Sequence, residues 1–316
     1  MAYWRWEQSP ETRPVSPVGD GTQAPQVVIC VHGLTRQGRD FDVLARVLLA
    51  RATRPLVLIC PDIVGRGESD WLADGTGYQI SQYVADLVAL IGQLKKEAPI
   101  SALDYVGTSM GGLIGIALAG QPDGVLAQPI RRLVINDVGP ALDAAGLARI
   151  GSYTGRSSRY DSLEEGAAAM WEISKSFGAH SREEWLALSR PMMVEAGRRS
   201  ANGTAKLAEV ALEVSPADAT GGWVPHYDPA IGEALRAVTP ELAAQGQTHM
   251  WSLYDAIRAE TLVTRGAESD LLSRATANAM TQRGPKARLV EFDGVGHAPT
   301  FVAPAQSALL ADFLLS

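Results

Sequence analysis

The residues Gly107-Thr108-Ser109-Met110-Gly111 set a hydroxyl between two glycines. Leu103-Asp104-Tyr105-Val106 before them reads as a strand, and Gly112 to Ala119 after them reads as a buried helix. A G-x-S-x-G between strand and helix demands a turn so tight that only glycine accepts the contacts on either side of the serine. Such a turn presents Ser109 Oγ at the carboxyl edge of a sheet. It also aims the Met110 backbone N–H, at the positive end of a helix, toward whatever the serine attacks. A serine hydroxyl is a poor nucleophile near neutral pH, so it needs a base and a group to orient that base. Imidazole titrates near neutrality and is the natural base. His297 follows a strand-like run on the glycine-loosened stretch Asp293-Gly294-Val295-Gly296, whereas His180, His226 and His249 lie among helical signals that suit solvated or core roles. Asp270, in the loop after the preceding strand, is the first choice for the orienting acid; Glu268 in the same loop and Asp137 at the end of another strand are alternatives. Nucleophile, base and acid together point to acyl transfer through a serine.

Those side chains are far apart in sequence, so a sheet must gather them at one edge. Buried-strand runs occur at Gln26 to Val31, Leu56 to Cys60, Leu133 to Asp137, Thr261 to Thr264 and Ala287 to Phe292. Between the early ones lie helical patterns, at Phe41 to Arg51 and from an N-cap at Ser81 onward. This alternation predicts an α/β fold with a mostly parallel central sheet wrapped by helices. The aromatic start, Tyr3 to Trp6, and the proline-rich stretch behind it read as an edge strand or hairpin. The alternation stops at Val138-Gly139-Pro140, and up to 258 the signals are helical, with capping boxes at Ser162–Glu165 and Ser181–Glu184 and a helix start at Thr239-Pro240. The expected organisation is a core of 1–139 and 259–316 with an all-helical insertion at 140–258. The last helix runs from Pro304 to Leu315.

A net charge of −7 and a pI near 5.3 argue against nucleic acid as a partner. No apolar run approaches the roughly 20 residues of a membrane span, and the first residues lack the pattern of a signal peptide. Cys30 and Cys60 each end a strand-like run and read as free buried thiols, which suits a cytoplasmic protein. The expected partner is a small-molecule ester, with no membrane or nucleic acid involved and with oligomeric state left open.

Four stretches taken together resemble the α/β-hydrolase fold: Val31-His32-Gly33-Leu34, Asp62-Ile63-Val64-Gly65-Arg66-Gly67-Glu68-Ser69, the elbow around Ser109, and Gly296-His297. The order Ser, Asp, His along the chain fits as well. The resemblance covers about 26–138 and 260–316. It implies that the N–H of Leu34 joins that of Met110 in an oxyanion hole, that His32 braces this loop, and that the insertion is a cap over the site. Asp62 and Arg66 are then expected to form a bracing ion pair. His32, Gly33, Trp171, Trp223 and Trp251 are candidates for contact with substrate. The pattern departs from the family in one place: Gly266 to Asp270 is one residue longer than the common G-x-x-D. The implied activity is a serine carboxylesterase, with no cofactor or metal. The apolar, Trp-rich character of the insertion favours small to medium hydrophobic esters, extending to hydroxyalkanoate or polyester oligomers. Serine at the elbow disfavours relatives that use an aspartate nucleophile. Carbon–carbon bond hydrolases and enol-lactonases remain as alternatives, with Arg198-Arg199 as a carboxylate clamp for the former, and so does a non-catalytic binding protein on the same fold.

Overall fold

The computed structural model describes residues 1–8, 24–121, 125–126, 128–156, 158–196 and 221–316. In chain order its strands are β1 (Tyr3–Glu7), β2 (Gln26–Val31), β3 (Leu56–Pro61), β4 (Ala102–Thr108), β5 (Ile130–Asn136), β6 (Met193–Glu195), β7 (Trp223–Pro225), β8 (Glu260–Gly266) and β9 (Arg288–Phe292). Seven of them form one sheet in the order β1-β3-β2-β4-β5-β8-β9. Only β1 is antiparallel; it lies on the edge against β3, as the aromatic start suggested. β4, which leads to the serine, lies between β2 and β5, so the loops of both neighbours reach it.

The described α-helices are α1 (Asp42–Arg51), α2 (Ile80–Glu97), α3 (Met110–Ala119), α4 (Ala144–Tyr153), α5 (Leu163–Ser174), α6 (Arg182–Ser189), α7 (Ala230–Arg236), α8 (Pro240–Ala256), α9 (Arg274–Gln282) and α10 (Pro304–Leu315). The continuous apolar runs of the strands serve two faces at once. Val28, Cys30, Leu58, Cys60, Val106 and Val134 pack under α1 and α10, whereas Val27, Ile29, Val31, Tyr105, Leu133 and Ile135 pack under α2, α3 and α8. Burial on both sides is why these strands read as unbroken hydrophobic stretches. Cys30 and Cys60 are free and buried. α2 begins at Ile80, one residue before the expected cap, with no side chain capping it.

Two features of the insertion differ from expectation. It is not all helical, because β6 and β7 form a short antiparallel pair, Val194 opposite Val224. Helix α8 packs on the sheet layer: Leu253 and Tyr254 join the same buried cluster as α3, and the Tyr254 hydroxyl donates to the Met280 carbonyl at 2.7 Å. α5 and α6 instead build a separate small core from Ala167, Trp185 and Leu188, with Trp171 against it. Ser181 and Glu184 make the expected capping box at α6, whereas Ser162 caps α5 while Glu165 reaches the N–H of Asp161. Trp171 and Trp185 meet edge to face at 4.9 Å, a geometry that fixes both rings in this core.

Candidate active site

The elbow begins where β4 runs out of room. A Cβ on Gly107 would collide with the Gly111 backbone, and one on Gly111 with the Val31 carbonyl. Ser109 between them has φ 53° and ψ −116°, in the positive-φ region that side-chain-bearing residues avoid. Its N–H donates to the Asn136 carbonyl at 2.9 Å and its carbonyl accepts from Gly112 at 2.8 Å, so the turn is held at both ends. Strain maintained by surrounding bonds is typical of a functional side chain that must stand clear of its sheet.

Ser109 Oγ lies 2.9 Å from His297 Nε2. On the other side of the ring, Nδ1 lies 2.7 Å from Asp137 Oδ2. With Nδ1–H donating to the carboxylate, Nε2 is left as the acceptor for the serine proton. Asp137 is fully buried at the end of β5 with φ 55°, a left-handed conformation that Asp tolerates better than most residues. Its Oδ1 accepts the Gly266 N–H at 2.8 Å and its Oδ2 also accepts the Ser269 hydroxyl at 2.7 Å.

The first-choice acid, Asp270, is therefore not beside the histidine. Its carboxylate is gripped by Arg149 of α4 through Nε at 2.5 Å and Nη2 at 2.8 Å, and that hydrogen bonding holds its carboxyl below the usual carboxylate range. The extra residue noted in the sequence explains the displacement. The third position after Gly266 is Ser269, whose hydroxyl donates to Asp137, and Asp270 is carried one step further, to the surface. Glu268 is exposed as well. Buried Arg265 shapes this loop by donating to the carbonyls of Leu272, Ala267 and Ser269. Sequence reasoning also missed Asn136, which is fully buried. Its amide donates to Thr108 Oγ1 at 3.1 Å and the Pro299 carbonyl at 2.8 Å and accepts from Thr264 Oγ1 at 2.8 Å. It thus ties β4, β5, β8 and the histidine loop together. The signal was present: Asn136-Asp137 is a polar pair closing an apolar strand.

Gly33 faces Ser109, and a Cβ placed there would stand 3.7 Å from Ser109 Cβ. Among the described residues neither the Leu34 nor the Met110 N–H meets a hydrogen-bond acceptor, which leaves both free for a developing oxyanion. Two buried groups brace this corner. The His32 ring bridges the Gly33 carbonyl at 2.7 Å and the Ile63 N–H at 3.0 Å, and burial pushes its pKa down to about 3, so it stays neutral. Arg66 does not pair with Asp62. Its guanidinium donates to the carbonyls of Leu34 at 2.8 Å and Val64 at 2.7 Å and to the Tyr83 hydroxyl at 3.0 Å, with the Met110 thioether at 3.4 Å. Asp62 accepts instead from the N–H groups of Gly38 and Glu68.

A cavity of about 270 Å³ opens over Ser109 and His297. The insertion supplies its far wall, chiefly Ile150 and Tyr153 of α4, Met170 and Ile173 of α5, and Met192. Of the expected contact residues, Gly33 lines it; His32, Trp171, Trp223 and Trp251 do not. His32 is sealed under the loop, and Trp171 belongs to the α5–α6 core. Trp223 exchanges backbone bonds with Tyr160, and Trp251 on α8 packs against Tyr254 beneath the Arg283 guanidinium. Arg198-Arg199 lies outside the described residues.

The chain is similar to known proteins over nearly its whole length. It is 43% identical to a 3-hydroxybutyrate-oligomer hydrolase of Cupriavidus necator, across 99% of this chain and 92% of that one. It is 32% identical to Lipase LipV of Mycobacterium tuberculosis over 41% of this chain and 44% of the lipase. Among solved structures, an alpha/beta hydrolase from Novosphingobium aromaticivorans superposes with a TM-score of 0.71 at 30% identity, covering 99% of this chain and 98% of that one. The alpha/beta hydrolase family matches residues 28–308, which takes in the elbow, both acid-bearing loops and the histidine loop: the chain belongs to that family.

Proposed function

We propose that this protein is a serine hydrolase of carboxylic esters that acts on short oligomers of hydroxyalkanoates, with Ser109, His297 and Asp137 as its triad. The observation that carries this reading is the hydrogen-bonded series from Ser109 Oγ through His297 to Asp137, at 2.9 and 2.7 Å. The substrate class rests on the 43% identity to the 3-hydroxybutyrate-oligomer hydrolase and on a cavity whose wall is largely apolar.

In this reading Ser109 Oγ attacks the acyl carbon while His297 Nε2 takes its proton, and Asp137 stabilises the imidazolium. The carbonyl oxygen gathers charge against the N–H groups of Leu34 and Met110, where one such donor is worth about 3–4 kcal/mol of barrier. His297 returns the proton to the departing alkoxide, giving the alcohol and an acyl-enzyme. Water then repeats the sequence on the acyl-enzyme and frees the acid. No helix among the described residues is long and apolar enough to cross a membrane. The free, buried Cys30 and Cys60 support a cytoplasmic site of action.

The test is release of 3-hydroxybutyrate from purified dimer and trimer and of p-nitrophenol from the butyrate ester, by wild type and Ser109→Ala. Turnover that disappears in the variant is expected. Absence of turnover on every ester tested, or a Ser109→Ala enzyme with undiminished rates, overturns the assignment.

A further inference from the structure

The side chains around the cavity are unbalanced in charge. The protein carries a net charge of −7, yet among the described residues no aspartate or glutamate lines the cavity and two arginines do, Arg36 and Arg156. Arg36 is already spoken for: its guanidinium grips Asp40 with bonds of 2.7 and 2.6 Å and donates to the Leu188 carbonyl. Arg156 has no carboxylate partner and no side-chain hydrogen bond among the described residues. An exposed guanidinium without a carboxylate partner among the described residues, in the same cavity as Ser109, is free to meet an anion, and its planar fork suits a carboxylate.

The backbone that carries it is fixed. Arg156 follows α4 on a turn where Gly155, at φ 79°, donates its N–H to the Tyr227 hydroxyl at 3.1 Å, and the Arg156 N–H donates to the Tyr153 carbonyl at 3.3 Å. The Thr154 carbonyl just before it accepts from Arg236 at 3.0 Å. α4 is itself tethered to the loop beside Asp137 by Arg149 and Asp270. Tyr153, Tyr160 and Tyr227 line the cavity with Arg156 and, with Ser158 and Ser174, give this wall polar edges.

We propose that Arg156 is a specificity-determining residue that holds the free terminal carboxylate of the substrate, making this protein selective for short, acid-terminated hydroxyester oligomers over neutral esters. This rests on the ester-hydrolase reading above and goes beyond it by naming which end of the substrate is recognised. A guanidinium–carboxylate contact supplies binding, so its loss raises KM for acid-terminated substrates and leaves the chemical step at Ser109 intact.

The experiment compares wild type, Arg156→Gln and Arg156→Lys on the 3-hydroxybutyrate dimer, the methyl ester of that dimer and p-nitrophenyl butyrate. For Arg156→Gln a rise in KM of about 10- to 100-fold is expected on the free acid, with kcat little changed and both neutral esters unaffected. Arg156→Lys restores part of the loss, and wild-type KM for the free acid rises with ionic strength. Equal effects on acid and methyl ester, or no effect on either, overturn the proposal while leaving ester hydrolysis standing. Calorimetric binding of the free-acid dimer to Ser109→Ala, with and without Arg156→Gln, reads the same contact without turnover; unchanged affinity overturns it there too.

Discussion

Replacing Asp137 with Asn is the sharpest perturbation of the site, because two aspartates compete for one role and the substitution changes little else. Asp137 sits at φ 55°, and Asn tolerates that region nearly as well as Asp, so the backbone stays in place. The amide oxygen can still accept from Gly266, which leaves the amide nitrogen facing Ser269 and His297. That nitrogen is a donor where a carboxylate accepted. The imidazole then turns its proton to Nε2 and has no lone pair for Ser109. A histidine held in the wrong tautomer lowers kcat by about 10⁴-fold, or about 5.4 kcal/mol of barrier. Asp270→Asn should behave very differently. Its ion pair with Arg149 is 35% and 41% exposed at the two side chains, and such pairs contribute about 1 kcal/mol or less. Its kcat should fall no more than about threefold, roughly what a 0.6 kcal/mol disturbance produces. The assay is steady-state hydrolysis of p-nitrophenyl butyrate, with circular dichroism to check that both variants are folded. A collapse of kcat in Asp270→Asn with Asp137→Asn near wild type would refute the assignment of the acid.

Stability should depend on His32 in acid. Its folded pKa of about 3 lies below the unfolded value of 6.5, so its contribution is intact above about 6.5. As pH falls toward 3 it is lost at about 1.4 kcal/mol per unit. Asp62, pushed up to about 6 by burial, works the opposite way between roughly 4 and 6. The measurement is therefore the difference in slope of unfolding free energy against pH between wild type and His32→Gln, and parallel slopes would contradict the buried neutral ring. Gly111→Ala should fail to fold or lose more than about 3 kcal/mol, since its methyl meets the backbone of β2 rather than a movable side chain; urea titration decides. Met170→Ala should enlarge the cavity and shift preference toward longer acyl chains by about tenfold, whereas Trp251→Phe should lower Tm with the acyl profile unchanged. Profiles across p-nitrophenyl esters from acetate to octanoate would read both.

How much of this could be read beforehand depended on how local the cause was. Strand runs, the elbow and the terminal histidine loop are written in adjacent residues: an apolar stretch needs two covered faces, and glycines on either side of a serine need a backbone contact no side chain permits. For the same reason the aromatic edge strand and the parallel character of the sheet followed from the alternation of patterns, whereas the order of the strands across the sheet did not. The insertion was legible as helical by its caps, yet the β6–β7 pair was not, because three-residue strands leave no periodicity to detect. Trp251 could not be assigned from its neighbours either; only the packing of α8 against α3 sets it, partly buried, against the core.

Which carboxylate lies against His297 was decided by tertiary structure alone. Asp137, Glu268 and Asp270 all end or follow strands, and nothing in their local spacing says which carboxylate faces the imidazole. That choice depends on β5 lying beside β8, on Arg265 curling the next loop so that a serine hydroxyl points inward, and on Arg149 drawing Asp270 to the surface. The sequence by itself determined the fold and the serine that stands on the elbow, because both follow from short-range sterics and from where apolar residues recur. Which carboxylate meets His297 and which side chains line the cavity came only from the folded chain, because these are contacts between segments distant in sequence, such as Asp137 with His297 at a separation of 160.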